Sequence, residues 1–413
     1  MPTPAQLAML SIVVAIVISF WRKSNAGLIA LSLALPLGVG IGGLSGRTII
    51  NMWPVHLSVT LVGVTLLFAI IKVNGTLSLI ARYTIRLARG NVFFIPWSIF
   101  LMSAVLAGIG PGNISICALL GPIAMAVAME TGISPLLMGA MLSAGSNAGG
   151  LSVVAPTGII GVSLYQEIIG TDPGLSIWLM QVMSSLIWAT LSFIILGGWK
   201  ATSYSASSEQ LLPKLERVNV LSLAAIALLV VAVVGFRQEV GLVSFSLAVV
   251  LLLLNAAGEK ESIAAIPWST IILVCGTAVL IGVASELGGI TLLTSALQPL
   301  MNEATAPSIM AIVASVISCF ASSSGVVMPT LFRVLPDLST QLTSVSPLVL
   351  ASAVVVGSHM VTIGPFSTLG ALIAASLQDG QDKQLFFKQQ MIAGLISIPF
   401  AGLVALLIAP LIG

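Results

Sequence analysis

Between Thr131 and Gln166 the chain runs for 36 residues without one charged side chain. A straight helix of that length would reach about 54 Å, against a hydrocarbon core of about 30 Å in a typical bilayer. The middle of the run reads GSNAGGLSVVAPTG (145–158), with four glycines, a proline and the polar groups of Ser146, Asn147, Ser152 and Thr157. Such a segment is expected to fold back or break. The whole chain points the same way: of its 413 residues, 58% are hydrophobic and 7% charged, against about 25% charged in soluble domains. Its surface is therefore built for lipid.

A spanning helix needs about 20 apolar residues. Single spans are expected at 4–21, 25–44, 57–73, 174–198, 218–236, 239–257, 268–287 and 388–412, leaving four longer charge-poor regions at 91–129, 131–166, 304–346 and 347–378. The first segment, Ala5 to Trp21, lacks a preceding basic residue and a small-residue cleavage site, so it reads as a retained span. If 91–129 and 304–346 are re-entrant hairpins and the other two regions broken spans, the chain crosses ten times with both termini outside. The cytoplasmic side then holds 11 of the 15 basic residues (Arg22, Lys23, Arg82, Arg86, Arg89, Lys200, Lys214, Arg217, Lys260, Lys383 and Lys388), with Arg47 and Arg237 outside. The positive-inside rule favours that assignment. Cys117, Cys275 and Cys319 lie far apart in apolar stretches, without metal or disulfide spacing, and read as buried bystanders.

A shift of about 212 to 214 residues superimposes the two halves in hydropathy. GISPLLMGAMLSAGSNAGG (132–150) falls on VSPLVLASAVVVGSHMVTI (345–363), pairing Ser134-Pro135 with Ser346-Pro347 and Gly145-Ser146 with Gly357-Ser358. With five crossings each, the second copy is expected upside down. The expected fold is an all-α polytopic membrane protein of two inverted five-helix repeats, each with a re-entrant hairpin and a broken helix. The first repeat is 1–198 (hairpin 91–130, broken helix 132–168), and 199–217 is a polar, basic cytoplasmic linker. The second repeat is 218–413 (hairpin 304–345, broken helix 347–378). Inverted repeats with discontinuous helices mark secondary transporters, whose sites lie at the repeat interface near mid-membrane. Irregular backbone at that depth is tolerated only where it lines a cavity or is buried in protein.

Four interruptions supply that backbone: GIGPGNIS (108–115), 145–158, ASSSGVVMP (321–329) and GSHMVTIGPFSTLG (357–370). Half-helix N-termini there favour anions, while carbonyl, amide and hydroxyl oxygens suit a hard cation such as sodium. At the hairpin tips the candidate substrate contacts are Asn113, Ser115, Ser322, Ser323 and Ser324. In the broken helices they are Asn147, Ser152, Thr157, Thr362, Ser367 and Thr368. For any one hydroxyl the alternative is a bond within or between helices.

The order of scaffold helices, hairpin, broken helix and inverted copy resembles the ion transporter superfamily over nearly the whole chain. Within it the chain looks like the divalent-anion/sodium symporters and the MatC-type dicarboxylate carriers. Those symporters carry a Ser-Asn-Thr triplet at each hairpin tip. Here the matching positions read Gly112-Asn113-Ile114 and Ser324-Gly325-Val326, so Asn113 and Ser324 keep the family's side chain. The resemblance implies a bound small organic anion, a dicarboxylate above all. It implies sodium as coupling ion near Gly112, Asn113, Ser146, Asn147, Ser324, Gly325, Ser358 and Thr362, with no covalently bound cofactor. It further implies an elevator mechanism on a homodimeric scaffold in the bacterial inner membrane. The basic helix TLSLIARYTIRLARG (76–90) has the spacing of an interfacial arm between scaffold and moving domain.

Ionisable groups at depth are functional candidates by default. Arg333 has Asp337 at i+4, suggesting an ion pair inside the hairpin or a lure for substrate carboxylate. His359 matches Asn147 and reads either as a buried neutral imidazole or as a substrate or proton contact. Lys72 and Glu286 sit at repeat-equivalent helix ends and are expected to snorkel. Glu130 is expected in the loop after the first hairpin. No mid-membrane pair of carboxylates is evident, so coupling through neutral oxygens is favoured over a proton relay or a sodium/proton antiporter, with proton coupling through His359 as the alternative. A membrane hydrolase finds no G-x-S-x-G or H-E-x-x-H. There is no P-loop for ATP, nothing that calls for a nucleic-acid partner, and an open channel suits paired broken helices poorly.

Overall fold

The computed structural model describes residues 2–77, 79, 92–200, 215–236, 238–378, 380–408 and 411. The arm predicted at 76–90 and the linker at 199–217 lie mostly outside them. All elements among the described residues are helical. The first half holds α1 (Pro4–Arg22), α2 (Ala26–Leu35), α3 (Gly46–Asn51), α4 (Val55–Val73), α5 (Ile95–Gly108), α6 (Gly112–Thr131), α7 (Pro135–Gly150), α8 (Pro156–Ile169) and α9 (Ser176–Ile195). The second holds α10 (Arg217–Val230), α11 (Val240–Leu253), α12 (Glu259–Ala264), α13 (Trp268–Glu286), α14 (Gly289–Leu297), α15 (Ala306–Ser318), α16 (Met328–Phe332), α17 (Leu335–Gln341), α18 (Pro347–Met360), α19 (Thr368–Ala375) and α20 (Lys383–Ile408). Among the described residues seven helical stretches are long and apolar enough to cross a membrane, or eight with the bent pair Ala306–Ser318 and Ser323–Phe332 taken as one. The protein is a multi-pass membrane protein, all-helical among the described residues.

Several helices of the two halves correspond in length and position along the sequence. A shift of 213 carries α4 onto α13, both 19 residues long. Each begins after a proline, Pro54 or Pro267. Each is followed by a glycine with positive φ, Gly75 at 79° and Gly288 at 78°, a conformation that side chains resist. The six-residue helices α3 and α12 correspond in the same way. Shifted by 212, α7 meets α18, and both open on Ser-Pro.

Glycines set how closely these helices cross. A Cβ on Gly145 would collide with the Phe100 carbonyl of α5, and one on Gly149 with that of Ala104. In the second half a Cβ on Gly357 of α18 would collide with the Ala311 carbonyl of α15. Small residues spaced four apart let helix backbones touch inside a bilayer, where apolar burial gives no drive. The run 145–158 therefore corrects a sequence expectation. Gly145, Gly149 and Gly150 stay helical and are buried, and unwinding is confined to 151–155.

Helices α1, α2, α4, α11 and α13 pack with one another, while α5 to α9 with α15, α18 and α20 form a second bundle. The seam between them is lined by α4 and α13 on one side and by α8, α16 and the turn 323–327 on the other. In the first bundle, Glu239 caps α11 through Leu242 N (2.6 Å) and accepts Thr60 Oγ1 of α4 (2.8 Å).

One ion pair differs from expectation. Arg333 binds Glu167 of α8 at 3.3 Å rather than Asp337, whose carboxylate lies 3.5 Å from Thr294 Oγ1. Spacing along one helix suggested the nearer partner, but α8 packs against α16 and presents a carboxylate there. Lys72 and Glu286 are exposed at their helix ends.

Gly149→Ala forces the new methyl into the Ala104 and Gly108 backbones and should lower stability by about 1–3 kcal/mol. Gly40→Ala, with open space around the new atom, should leave it unchanged. Thermal melting of the two detergent-solubilised variants reads the difference.

Candidate functional site

The four interruptions come together at one place. In the first half α5 ends at Gly108 and α6 starts at Gly112, with Gly110 (φ 137°) and Gly112 (φ 79°) making the reversal. Segment 151–155 separates α7 from α8 beside that tip, and Ser152 Oγ donates to the Gly108 carbonyl at 2.6 Å. In the second half the chain reverses at 319–322 and resumes in a π-helical turn, Ser323–Val327, capped by Ser322 Oγ accepting from Gly325 N (3.1 Å). Beyond α18 a 3-10 turn (Val361–Ile363) and a tight turn through 364–367 lead to α19, capped by Ser367 through Gly370 N (3.0 Å). Ser318 and Ser323 both donate to the Ser358 carbonyl, at 2.7 and 2.8 Å. Side-chain oxygens thus satisfy the backbone that the breaks release.

A buried amide network joins the halves. Asn113 Nδ2 donates to Asn147 Oδ1 (2.9 Å), and Thr157 Oγ1 to Asn113 Oδ1 (3.4 Å). Asn147 Nδ2 donates to the His359 carbonyl (3.0 Å) and to Thr362 Oγ1 (2.7 Å), and Thr362 Oγ1 donates to the same carbonyl (2.7 Å). Asn147 and His359, paired by the sequence repeat, are in contact across the two halves. The His359 ring places Nδ1 2.9 Å from the Val355 carbonyl. A carbonyl only accepts, so Nδ1 carries the proton and Nε2 is left as an acceptor.

Above this network lies a cavity of about 440 Å³, within the range of small-molecule sites. Of the predicted contacts, Asn113, Thr157, Ser322, Ser323, Ser324, His359, Thr362, Ser367 and Thr368 line it. Asn147 lies beneath, holding Asn113 and Thr362. Ser115 is half-buried on α6 and does not line it. Nor do Ser146, which accepts from Cys117 Sγ at 3.3 Å, and Ser358, whose hydroxyl returns to the Val355 carbonyl at 3.1 Å. The Gly325 carbonyl already accepts from Thr277 of α13, and a Cβ on Gly112 would press on the Pro156 ring.

The opposite wall comes from residues that sequence reading passed over. They are Ser19, Ser24 and Asn25 at the junction of α1 and α2, and Ser269 and Thr270 in the first turn of α13. Asn25 Nδ2 reaches the Ser269 carbonyl at 2.6 Å while its Oδ1 caps Gly27 N at 2.8 Å. Their polar side chains at helix ends read as ordinary caps. Phe20, Phe320 and Phe366 edge the cavity too, with ring centroids 5.7 and 5.8 Å from Phe20. Among the described residues, no Asp, Glu, Lys or Arg lines it. Its fixed charge is partial: the N-termini of α6, α8 and α19 all start at lining residues or beside them, a field that favours an anion.

Fold and site thus define a multi-pass helical membrane protein with an uncharged polar cavity between two bundles. Residues 3–150, reaching from α1 through α7, match the family model described as dicarboxylate carrier protein MatC N-terminus. The chain also shares the fold of the YdaH transporter of Alcanivorax borkumensis, with TM-score 0.59, 12% identity, and coverage of 93% of this chain and 98% of that one. No curated protein matches.

Asn147→Ala removes the amide bridging Asn113, Thr362 and the His359 carbonyl, and should destabilise the folded protein by about 1–3 kcal/mol. Ser115→Ala should stay within about 0.5 kcal/mol of the parent. Melting in detergent compares them.

Proposed function

We propose that this protein is a secondary active transporter of a small organic anion of the dicarboxylate class, driven by sodium. The observation that carries the reading is the charge-free cavity in which four helix breaks from both halves expose amide, hydroxyl and N-terminal groups. An anion there meets helix N-termini. Its remaining charge calls for a travelling cation, and the oxygens of Asn113, Ser324 and Thr362, with the backbone near Gly112 and Gly325, are suitable donors. The match of 3–150 to a dicarboxylate carrier model supports the substrate class.

The two halves act as inverted repeats. Support comes from the 212- to 213-residue correspondence of helices and from the charge placement that the positive-inside rule favours in the sequence. The bundle bearing the breaks moves as an elevator against the other, which dimerises with a second copy in the bacterial inner membrane. The seam supports this, since α4 and α13 on one side face α8, α16 and the turn 323–327 on the other.

A proton-coupled version is the second reading. It is favoured by His359, whose ring lines the cavity with Nε2 free to accept.

Uptake into proteoliposomes across mono-, di- and tricarboxylates, with sodium and proton gradients imposed separately, tests both. Sodium-driven dicarboxylate uptake is expected. Uptake that follows only the proton gradient and disappears in His359→Gln would replace sodium with the proton. Asn113→Ala and Ser324→Ala should each raise the half-saturating substrate concentration about three- to tenfold with insertion intact. Unchanged kinetics in both would remove the hairpin tips from the site.

A further inference from the structure

The seam between the bundles holds a second cavity. Helix α13 contributes Ser269, Thr270 and Leu273 to the first cavity, and Val274, Ala278, Gly282, Ser285 and Glu286 to the second. From Ser269 to Glu286 the helix rises about 25 Å, so the two cavities open toward opposite ends of one seam. The facing elements follow the same division. On α8, Thr157 lines the first cavity and Leu164 and Glu167 the second, and past the second hairpin tip Val326 lines the first and Pro329 and Arg333 the second. Between them Thr277 Oγ1 is hydrogen-bonded to the Gly325 carbonyl.

The second cavity holds about 360 Å³ and, unlike the first, carries full charges: Arg333, Glu167 and Glu286. Arg333 has five N–H donors. Among the described residues its one hydrogen bond runs to Glu167 at 3.3 Å, and its Nε is buried without an acceptor. Its side chain is 24% exposed, whereas that of Glu167 is 52% exposed. The guanidinium is thus withdrawn from water and under-satisfied, while its counter-ion sits at the solvent edge and is free to leave. A planar fork with vacant donors matches a carboxylate bidentately. Glu286, exposed at its helix end, opposes an arriving anion only through a salt-screened field.

We propose that this second cavity is a docking site for the substrate's carboxylate, which binds the Arg333 guanidinium in exchange for the Glu167 side chain. Resting on the anion-transport reading above, the inference adds a site of capture at the other end of the seam from the first cavity. Arg333 lies on the same continuous run as the hairpin tip. It therefore receives the anion beside the element that carries it onward.

The test is carboxylate uptake into right-side-out and inside-out vesicles, with succinate and malonate as probes. Arg333→Gln should raise the half-saturating concentration roughly three- to tenfold in one vesicle orientation only, with Arg333→Lys falling between. Glu167→Gln removes the competing carboxylate and should lower the half-saturating concentration in that same orientation. An ion pair with a structural role alone predicts the reverse pattern: both neutralising variants shift uptake the same way, in both orientations, with equal drops in melting temperature. That outcome, or no change in either variant, overturns the docking site while leaving the transport reading intact. A wild-type protein that moves no carboxylate of the panel overturns the transport reading and the docking site with it.

Discussion

Inside a bilayer an unpaired backbone amide or carbonyl finds no water, and each costs several kcal/mol. The central part of this protein is organised around that constraint. Its chain unwinds at 109–111, 151–155, 319–322 and 361–367, all in regions of low charge. Hydroxyls and amides occupy the freed groups: Ser152 the Gly108 carbonyl, Ser318 and Ser323 the Ser358 carbonyl, and Thr362 and Asn147 the His359 carbonyl. The polar residues that shape the cavity are therefore also what permits the backbone to open there.

Close helix contact is the second half of the arrangement. Glycines at 145, 149 and 357 bring α7 and α18 against the hairpin helices α5 and α15, so that the tips reach the breaks. Without that approach Ser152 would not meet Gly108, and the loosened segments would stand apart. The other bundle uses the same device, since a Cβ on Gly27 would strike the backbone of α13 and one on Gly276 that of α2. Backbone proximity, set by missing side chains, does here what apolar burial does in water.

The two cavities differ in chemistry in a way that follows from where they lie. The first is walled by neutral oxygens and helix N-termini. The second, at the opposite end of the seam, holds a guanidinium and two carboxylates. The match to a dicarboxylate carrier model covers residues 3–150 and so ends with α7. Arg333, Glu167 and the whole second-half wall thus fall outside the matched region.

The residues alone determined that the chain lives in lipid, that its two halves correspond at 212 to 214 residues, and that four glycine- and serine-rich stretches interrupt it. Those conclusions rest on charge frequency, hydropathy period and local conformational preference, which are properties of short segments. Several matters only tertiary structure decided. The glycines of 145–150 serve packing inside an intact helix, because the helix opposite comes close enough to need them. Asn147 spans from the first half to His359 and Thr362 in the second, and Arg333 passes over the carboxylate four residues away for Glu167, 166 residues distant in the chain. Ser19, Asn25 and Ser269 face the cavity although nothing in their local sequence separates them from ordinary caps. In each case the partner is chosen by which helices cross, and that choice is made by the packing of the whole bundle rather than by any stretch of sequence.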